Sequence, residues 1–349
     1  MFAGIDTHKD TLAVAVIDDA GRPPAVEEVR NTTAGMAGLQ ALLERHHVRR
    51  VGIEGSGTWG RAAAAHLVAA GGMEVVEVPT SMTSRERTGR PGAGKSDPVD
   101  AVAIARITAR EPNLTAVRTE AGPAADLRAL ADYRRQLTNE RTALANRTHA
   151  ELHGLRPGYH AQIPRLNAPT FIAAALALIA DDTSVRAALT RRRLARLAAL
   201  TAEIKDLAGL IEQAVATAET SLTGLYGAGP IVAATILGEV LDVRRYRSRH
   251  AFAAANGTAP IPASSGRTSR HRLNRAGNRT LNRALYTIAI TQIRADTEGR
   301  AYYQRKRAEG KTNREALRCL KRRLSDVVYK TLHADLARHE RQQQQRDAA

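Results

Sequence analysis

The sequence predicts an α/β domain with a mixed sheet and helices on both faces, followed by long helices and a basic, all-helical end. Three observations carry this. In residues 1–110, apolar positions switch repeatedly between the period of two that suits a strand and the period near 3.6 that suits a helix. In the middle, residues 123–155 and 184–222 keep a helical period with no strand between them. Residues 244–349 hold 25 Lys+Arg against 8 Asp+Glu, so the whole net charge of +17 lies in the last third of the chain. The implied divisions are 1–115, 116–222 and 223–349.

Each element follows from its residues. FAGID (2–6) and TLAVAVID (11–18) read as strands joined by the tight turn THKD, with Leu12, Val14 and Val16 on one face. VEEVRN (26–31) reads as a third strand. TAGMAGLQALLERHH (33–47) places Met36, Leu39, Leu42 and Leu43 on one side of a helix. RRVGIE (49–54) is a strand ended by Gly-Ser-Gly, TWGRAAAAHLVAAGG (58–72) an alanine-rich helix with a glycine stop, and MEVVEVP (73–79) another strand. TSMTSRERTGRPGAGKS (80–96) has no period and reads as a mobile basic loop. SDPVDAVAIARITAR (96–110) is a helix that closes the unit. Three meandering strands followed by α/β crossovers give the mixed sheet.

The middle runs carry Leu127, Leu130, Leu137 and Leu144, then Leu194, Leu197, Leu200, Ile204, Leu207 and Ile211. Helices of this length suggest a coiled coil. RPGY (156–159) and IPRLNAPT (163–170) read as turns. In the last third, YGAGPIVAATILGEV (226–240) leads from a Gly-x-Gly turn into an apolar helix. Residues 256–290 run from a Pro/Ser/Gly loop through arginines into a helix, and 313–337 form a final helix with Leu317, Leu320, Leu324, Val328 and Leu332 on one face.

Composition narrows the function. Aromatics are only 3% of the chain, so the core rests on Ala, Leu, Val and Ile. No apolar run approaches the ~18 residues of a membrane span. The opening MFAGIDTHKD has no apolar signal core. The single cysteine, Cys319, rules out an internal disulfide and a cysteine zinc site, and the eleven histidines show no ligand spacing. A surplus confined to one segment, mostly arginine, favours nucleic acid as partner.

Four carboxylates stand out. Asp97 and Asp100 sit three apart at a helix start, in GKSDPVDAVAIAR (94–106). Asp97 is a preferred N-cap with Pro98 next, and Asp100 suits the first turn, which accounts for both without chemistry. Asp6 ends a short apolar strand, where an acid is disfavoured, and Glu54 ends another. On neighbouring strands, both reach one sheet edge. A helix presenting acids at i and i+3 across that edge completes a cluster. Hard oxygen ligands suit Mg²⁺ or Mn²⁺, and two ions about 4 Å apart stabilise both oxygens of a phosphoryl displacement.

Residues 1–110 resemble the RuvC-like, RNase H-fold catalytic domain. More narrowly, GIDTHKDTLAVAVID, GIEGSGTWG and GKSDPVDAVAIAR resemble the DEDD transposases of bacterial insertion sequences, also called bridge recombinases. The resemblance implies Asp6, Glu54, Asp97 and Asp100 as metal ligands and catalytic acids, with Mg²⁺ as cofactor, two ions, and Mn²⁺ as substitute. Residues 225–289 and YYQRKRAEGKTNREALRCLKRRL (302–324) are similar to the family's second domain.

In that family a serine followed by glycine is the nucleophile, held to cut DNA as a phosphoserine ester. Here Ser265 precedes Gly266 and fits, with Ser264 adjacent. Without the family these are loop serines after a proline. A loop ringed by Arg267, Arg270, Arg272 and Arg275 suits a scissile phosphate, and His271 reads equally as a phosphate contact. Gly227 and Gly229 read as a helix N-terminal turn; the segment also resembles a helix-hairpin-helix, whose amides take a DNA phosphate. Arg279 and Arg283, one helical turn apart, point at nucleic acid or form a solvated face.

The resemblance implies a Mg²⁺-dependent DNA recombinase that moves its own insertion sequence, guided by a structured noncoding RNA. It implies a homodimer or homotetramer with DNA and guide RNA as partners; the absence of an apolar span and the cysteine usage read as a cytoplasmic protein, at the bacterial nucleoid, with no membrane partner. The alternatives are a RuvC-like junction resolvase using only the four acids, a sugar-kinase-like ATPase, whose second phosphate loop is missing here, and a non-catalytic DNA-binding relic.

Overall fold

The computed structural model describes residues 1–88, 96–117, 122–262, 271–272 and 277–348. The chain divides into two units, Met1–Ala121 with Asp242–Ala251, and Gly122–Leu241 with Phe252–Ala349.

The first unit is built on one sheet. Strands β1 (Phe2–Thr7), β2 (Thr11–Ile17) and β3 (Ala25–Arg30) form an antiparallel meander. Helix α1 (Thr33–Arg45) leads to β4 (Arg50–Ile53), and α2 (Arg61–Ala70) leads to β5 (Glu74–Glu77). Then come α3 (Thr80–Thr88), α4 (Asp97–Arg110) and a two-residue β6 (Thr115–Ala116). The strand order is β3-β2-β1-β4-β5-β6, with β1–β4 and β4–β5 parallel and β6 antiparallel to β5. This is the mixed sheet that the sequence predicts.

The period of two explains the layers. Ala3 and Ile5, Leu12, Val14 and Val16, and Val51 and Ile53 pack on one face against Met36, Leu39 and Leu43 of α1 and Ala63, Ala64 and Leu67 of α2. The alternate residues Phe2, Ala13, Ala15 and Ile17 pack on the other face against Ala101 and Ala105 of α4.

Two expectations need correction here. Residues 80–88 form a helix, not a loop; Met82 packs with Val78, Ile104 and Ile107, and the amide of Met82 bonds the carbonyl of Pro79. One apolar anchor and one turn bond suffice, and they leave no periodic pattern in the sequence. The N-cap of α4 is Ser96, extended at φ −152°, so Asp97 is its first helical residue and not its cap. The strip Asp242–Ala251 holds a single 3₁₀ turn, Val243–Arg245, and a guanidinium on Arg247 that bonds the side chain of Asn113.

The second unit is helical. Helix α5 (Pro123–Leu155) and α7 (Val185–Thr217) run antiparallel, with α6 (Pro169–Leu178), absent from the sequence reading, between them in the chain. Tyr133 donates to Glu203 and Arg196 to Glu140, steps of seven residues in opposite directions. Leu130, Leu137 and Leu144 fill the seam against Leu200, Ile204 and Leu207. Next come α8 (Pro230–Val240), α9 (Arg249–Ala255), which begins in the first unit's strip, and the short strands β7 (Ile261–Pro262) and β8 (His271–Arg272). Helices α10 (Arg279–Arg294), α11 (Glu298–Ala308) and α12 (Asn313–Asp347) follow. The β7–β8 pair amends the all-helical expectation. Helix α12 passes residue 337 because its Arg, Glu and Gln tail favours helix without any apolar stripe. Among the described residues no helix is long and apolar enough to cross a membrane.

Candidate metal and nucleic-acid site

The site begins with a repeated tripeptide. Gly4-Ile5-Asp6 on β1 and Gly52-Ile53-Glu54 at the end of β4 lie in register, Gly4 opposite Gly52 and Ile5 opposite Ile53. The amide of Glu54 bonds the carbonyl of Ile5 at 3.1 Å. Both isoleucines face α1 and α2. By alternation the glycines and the acids take the other face, where α4 lies.

Two glycines let α4 in. A Cβ on Gly4 would lie 2.3 Å from the carbonyl of Ala101, and one on Gly52 would lie 1.9 Å from Oγ1 of Thr108. Helix and sheet therefore touch closely, and the first turn of α4 carries Asp97 and Asp100 toward the two strand-end acids. Arg50 fixes the far end of α4 by donating to the carbonyls of Thr108 (2.8 Å) and Glu111 (2.9 Å).

At the near end, His8 joins the acids. Its Nε2 lies 3.3 Å from Oδ2 of Asp6 and 3.2 Å from Oδ1 of Asp97. Glu54 is held by Thr83 of α3, whose hydroxyl donates to Oε2 at 2.5 Å. Asp100 is buried. Burial pushes Asp6 above the ordinary carboxylate pKa; His8 opposes this, while the charges of Glu54 and Asp100 add to it. The cluster thus concentrates negative charge in a place where water cannot fully screen it.

These residues fit a divalent cation. Asp6, His8 and Asp97 each offer a ligand atom, all within 4.8 Å of one another. That is close to the width of one coordination shell, ~4.2 Å for ligands at ~2.1 Å. Carboxylates suit Mg²⁺ or Mn²⁺, and an imidazole is taken more readily by Mn²⁺.

His8 and Thr83 escaped the sequence reading. His8 was hidden because histidine-to-histidine spacing says nothing of a histidine two residues from an acid at a strand end. Thr83 was hidden in a stretch taken for loop. The glycine before each strand acid was the available signal: Gly-Ile-Asp and Gly-Ile-Glu mark two strands pressed by the same helix.

The basic end is described in part. Ser264, Ser265, Arg267, Arg270 and Arg275 lie outside the described residues, and of Arg272 only the strand position is described. Gly227 adopts φ +91° and packs against α10, where a Cβ would meet the Ile288 carbonyl at 3.1 Å. Gly229 is the exposed N-cap of α8. Arg279 and Arg283 are both exposed on α10.

A buried polar network lies under this region. Asn256 donates to Ser325 (2.8 Å) and accepts from Thr258, and Asn282 donates to the Asn256 carbonyl (2.8 Å). Buried Lys321 donates to Asn282 at 2.5 Å; burial lowers its pKa and Arg279 lowers it further.

A family model described as a transposase, of the DEDD type from IS110 elements, matches residues 3–157. A second, described as the transposase IS116/IS110/IS902 family, matches residues 219–304. The uncharacterized 42 kDa protein of insertion element IS900 from Mycobacterium paratuberculosis is 27% identical, over 97% of this chain and 97% of its own length. The uncharacterized 44.8 kDa protein of IS116 from Streptomyces clavuligerus is 27% identical, over 95% and 94%. The uncharacterized 43.6 kDa protein of IS110 from Streptomyces coelicolor is 39% identical, over 32% and 28%. Among solved structures, Thermus thermophilus RuvC is 21% identical, covering 33% of this chain and 98% of its own, at a TM-score of 0.27. The two family models meet the chain at both the acid-bearing unit and the basic end, and the chain belongs to the transposase family of the IS110, IS116 and IS902 insertion elements.

Proposed function

We propose that this transposase is a Mg²⁺-dependent DNA recombinase that moves its own element through a serine–DNA intermediate. The observation that carries the reading is the register of Asp6 and Glu54 on paired strands, under the helix that bears Asp97 and Asp100. The four acids, with His8 beside them, would hold the ions. When bound, Mg²⁺ or Mn²⁺ supplies positive charge for the oxygens of a reacting phosphate.

The chain's own residues do the rest. Ser265, or its neighbour Ser264, is the nucleophile: its Oγ forms a bond to phosphorus as the bond from phosphorus to the sugar oxygen breaks. The proton leaving Oγ balances the one gained by the sugar hydroxyl. One phosphate ester replaces another, so the exchange needs no outside energy source. Arg267, Arg270, Arg272 and Arg275 are assigned to the phosphate, Arg279 and Arg283 to the DNA backbone. Gly227 and Gly229 open a helix-hairpin-helix-like element; since Gly227 packs on α10, Gly229 is the better placed of the two to offer an amide.

A structured RNA from the element's noncoding end would choose the sequence, leaving the protein to read shape and backbone. The α5–α7 pair is the natural coiled-coil arm, and a dimer or tetramer would join the acids of one subunit to the serine of another.

The test is a denaturing gel for protein covalently joined to DNA bearing both element ends. An adduct lost in Ser265→Ala and Asp6→Ala but kept in Ser264→Ala supports the reading and fixes the register. Cut DNA without adduct, unaffected by either serine change, overturns it in favour of a resolvase-type nuclease.

A further inference from the structure

Trp59 is the one tryptophan in the chain, and it is 55% exposed. Single exposed apolar residues are common on protein surfaces and need no explanation. The position of this one is what matters. It follows Glu54 by five residues, in the loop Gly55–Gly60.

The loop is held by several bonds. The amides of Thr58 and Gly60 both bond the Gly55 carbonyl, at 2.9 and 3.1 Å. Asn31 then ties the loop to the acid site: its Nδ2 donates to the carbonyl of Trp59 and to that of His8, each at 2.9 Å. His8 is the residue whose ring touches both Asp6 and Asp97. A single side-chain nitrogen therefore fixes the indole-bearing residue relative to the acids. The indole makes no hydrogen bond or ring contact among the described residues. The backbone is fixed while the flat apolar side chain is left to water.

We propose that Trp59 is a stacking platform for one unpaired nucleobase of the DNA strand whose phosphate enters the acid site. The inference rests on the metal-site reading above. A strand threaded past the acids presents phosphates to the cations and turns its bases outward. An indole at the rim offers each base a π-face without reading its identity. Stacking needs an unstacked base, so Trp59 favours strands that are melted or flipped at the cut. The residue positions the strand and touches no reacting atom.

The test uses the full chain and a fluorescein-labelled single-stranded oligonucleotide. Binding is followed by anisotropy and by tryptophan emission, each with and without Mg²⁺. The platform predicts emission that falls along the binding curve. It predicts binding on the order of tenfold weaker in Trp59→Ala, with most of the loss recovered in Trp59→Phe. An abasic oligonucleotide should bind wild type and Trp59→Ala alike and leave emission unchanged. Binding strengthened by Mg²⁺ with constant emission, and equal in wild type and Trp59→Ala, overturns the platform and keeps the metal site. Quenched binding that is indifferent to Mg²⁺ keeps the platform and overturns the metal reading.

Discussion

Gly4 of β1 and Ala105 of α4 meet backbone to backbone: a Cβ placed on Gly4 would lie 2.2 Å from the Ala105 nitrogen. The partner atom is main chain inside a helix, so no side-chain rotation relieves the clash. Gly4→Ala is expected to push α4 off the sheet, at about 1–3 kcal/mol of overpacking. Thermal melting should fall, and divalent-cation affinity should fall with it because Asp97 and Asp100 ride on α4. A Gly4→Ala protein with unchanged Tm and Mg²⁺ affinity would refute the close approach.

The acid cluster should destabilise the metal-free protein at neutral pH. Burial raises the pKa of Asp6, so the folded state binds its proton more tightly than the unfolded chain. Stability from this group is full below the ordinary carboxylate pKa and is lost as pH rises through the raised value. Asp6→Asn is therefore expected to melt higher than wild type at pH 7 without metal. Mg²⁺ should raise the Tm of wild type and leave that of Asp6→Asn unmoved.

Asp335 of α12 has the opposite sign. Burial alone would raise its pKa, but Ser221, through its side chain and its amide (2.9 Å), and the Thr220 hydroxyl (2.9 Å) outweigh it. Arg338 adds an ion pair at 3.0 Å that is not aligned as a hydrogen bond. The net pKa is lowered, so the contribution is present above the ordinary carboxylate pKa and lost as pH falls through the lowered one. Asp335→Asn should cost about 1–3 kcal/mol at pH 7. The gap to wild type in denaturant melts should close in strong acid.

Leu200 is fully buried in the α5–α7 seam. Leu200→Ala is expected to cost about 2–5 kcal/mol. Urea melts followed by circular dichroism should show the loss, while Mg²⁺ affinity of the first unit should hold.

Nucleic-acid affinity should fall steeply with salt. The excess charge sits in residues 244–349, and each phosphate neutralised there contributes to the slope. Anisotropy between about 50 and 200 mM salt should show affinity dropping by at least tenfold. A flat response would remove the basic end as a phosphate-binding surface.

The sheet was legible because its strands are short apolar runs bounded by turn and glycine signals. Leu12, Val14 and Val16 named one face, and Asp6 and Glu54 broke the pattern where a buried strand should have stayed apolar. Helix α3 was not legible, because one anchor at Met82 leaves no periodic trace. The approach of His8 to Asp97 was beyond reach as well, since it joins a β-turn to a helix start across almost ninety residues of sequence. The β7–β8 pair is two residues to a strand, too short for any pattern to register.

The strip Asp242–Ala251 has a consequence for descent. It completes the first unit, yet residues of the second precede and follow it. Genes exchange contiguous stretches. A crossover that carried away Met1–Ala121 would leave behind Arg247, whose guanidinium holds Asn113. Neither unit can be traded whole for a foreign counterpart by one such event. The acid-bearing unit is whole only when both of its stretches of chain are present.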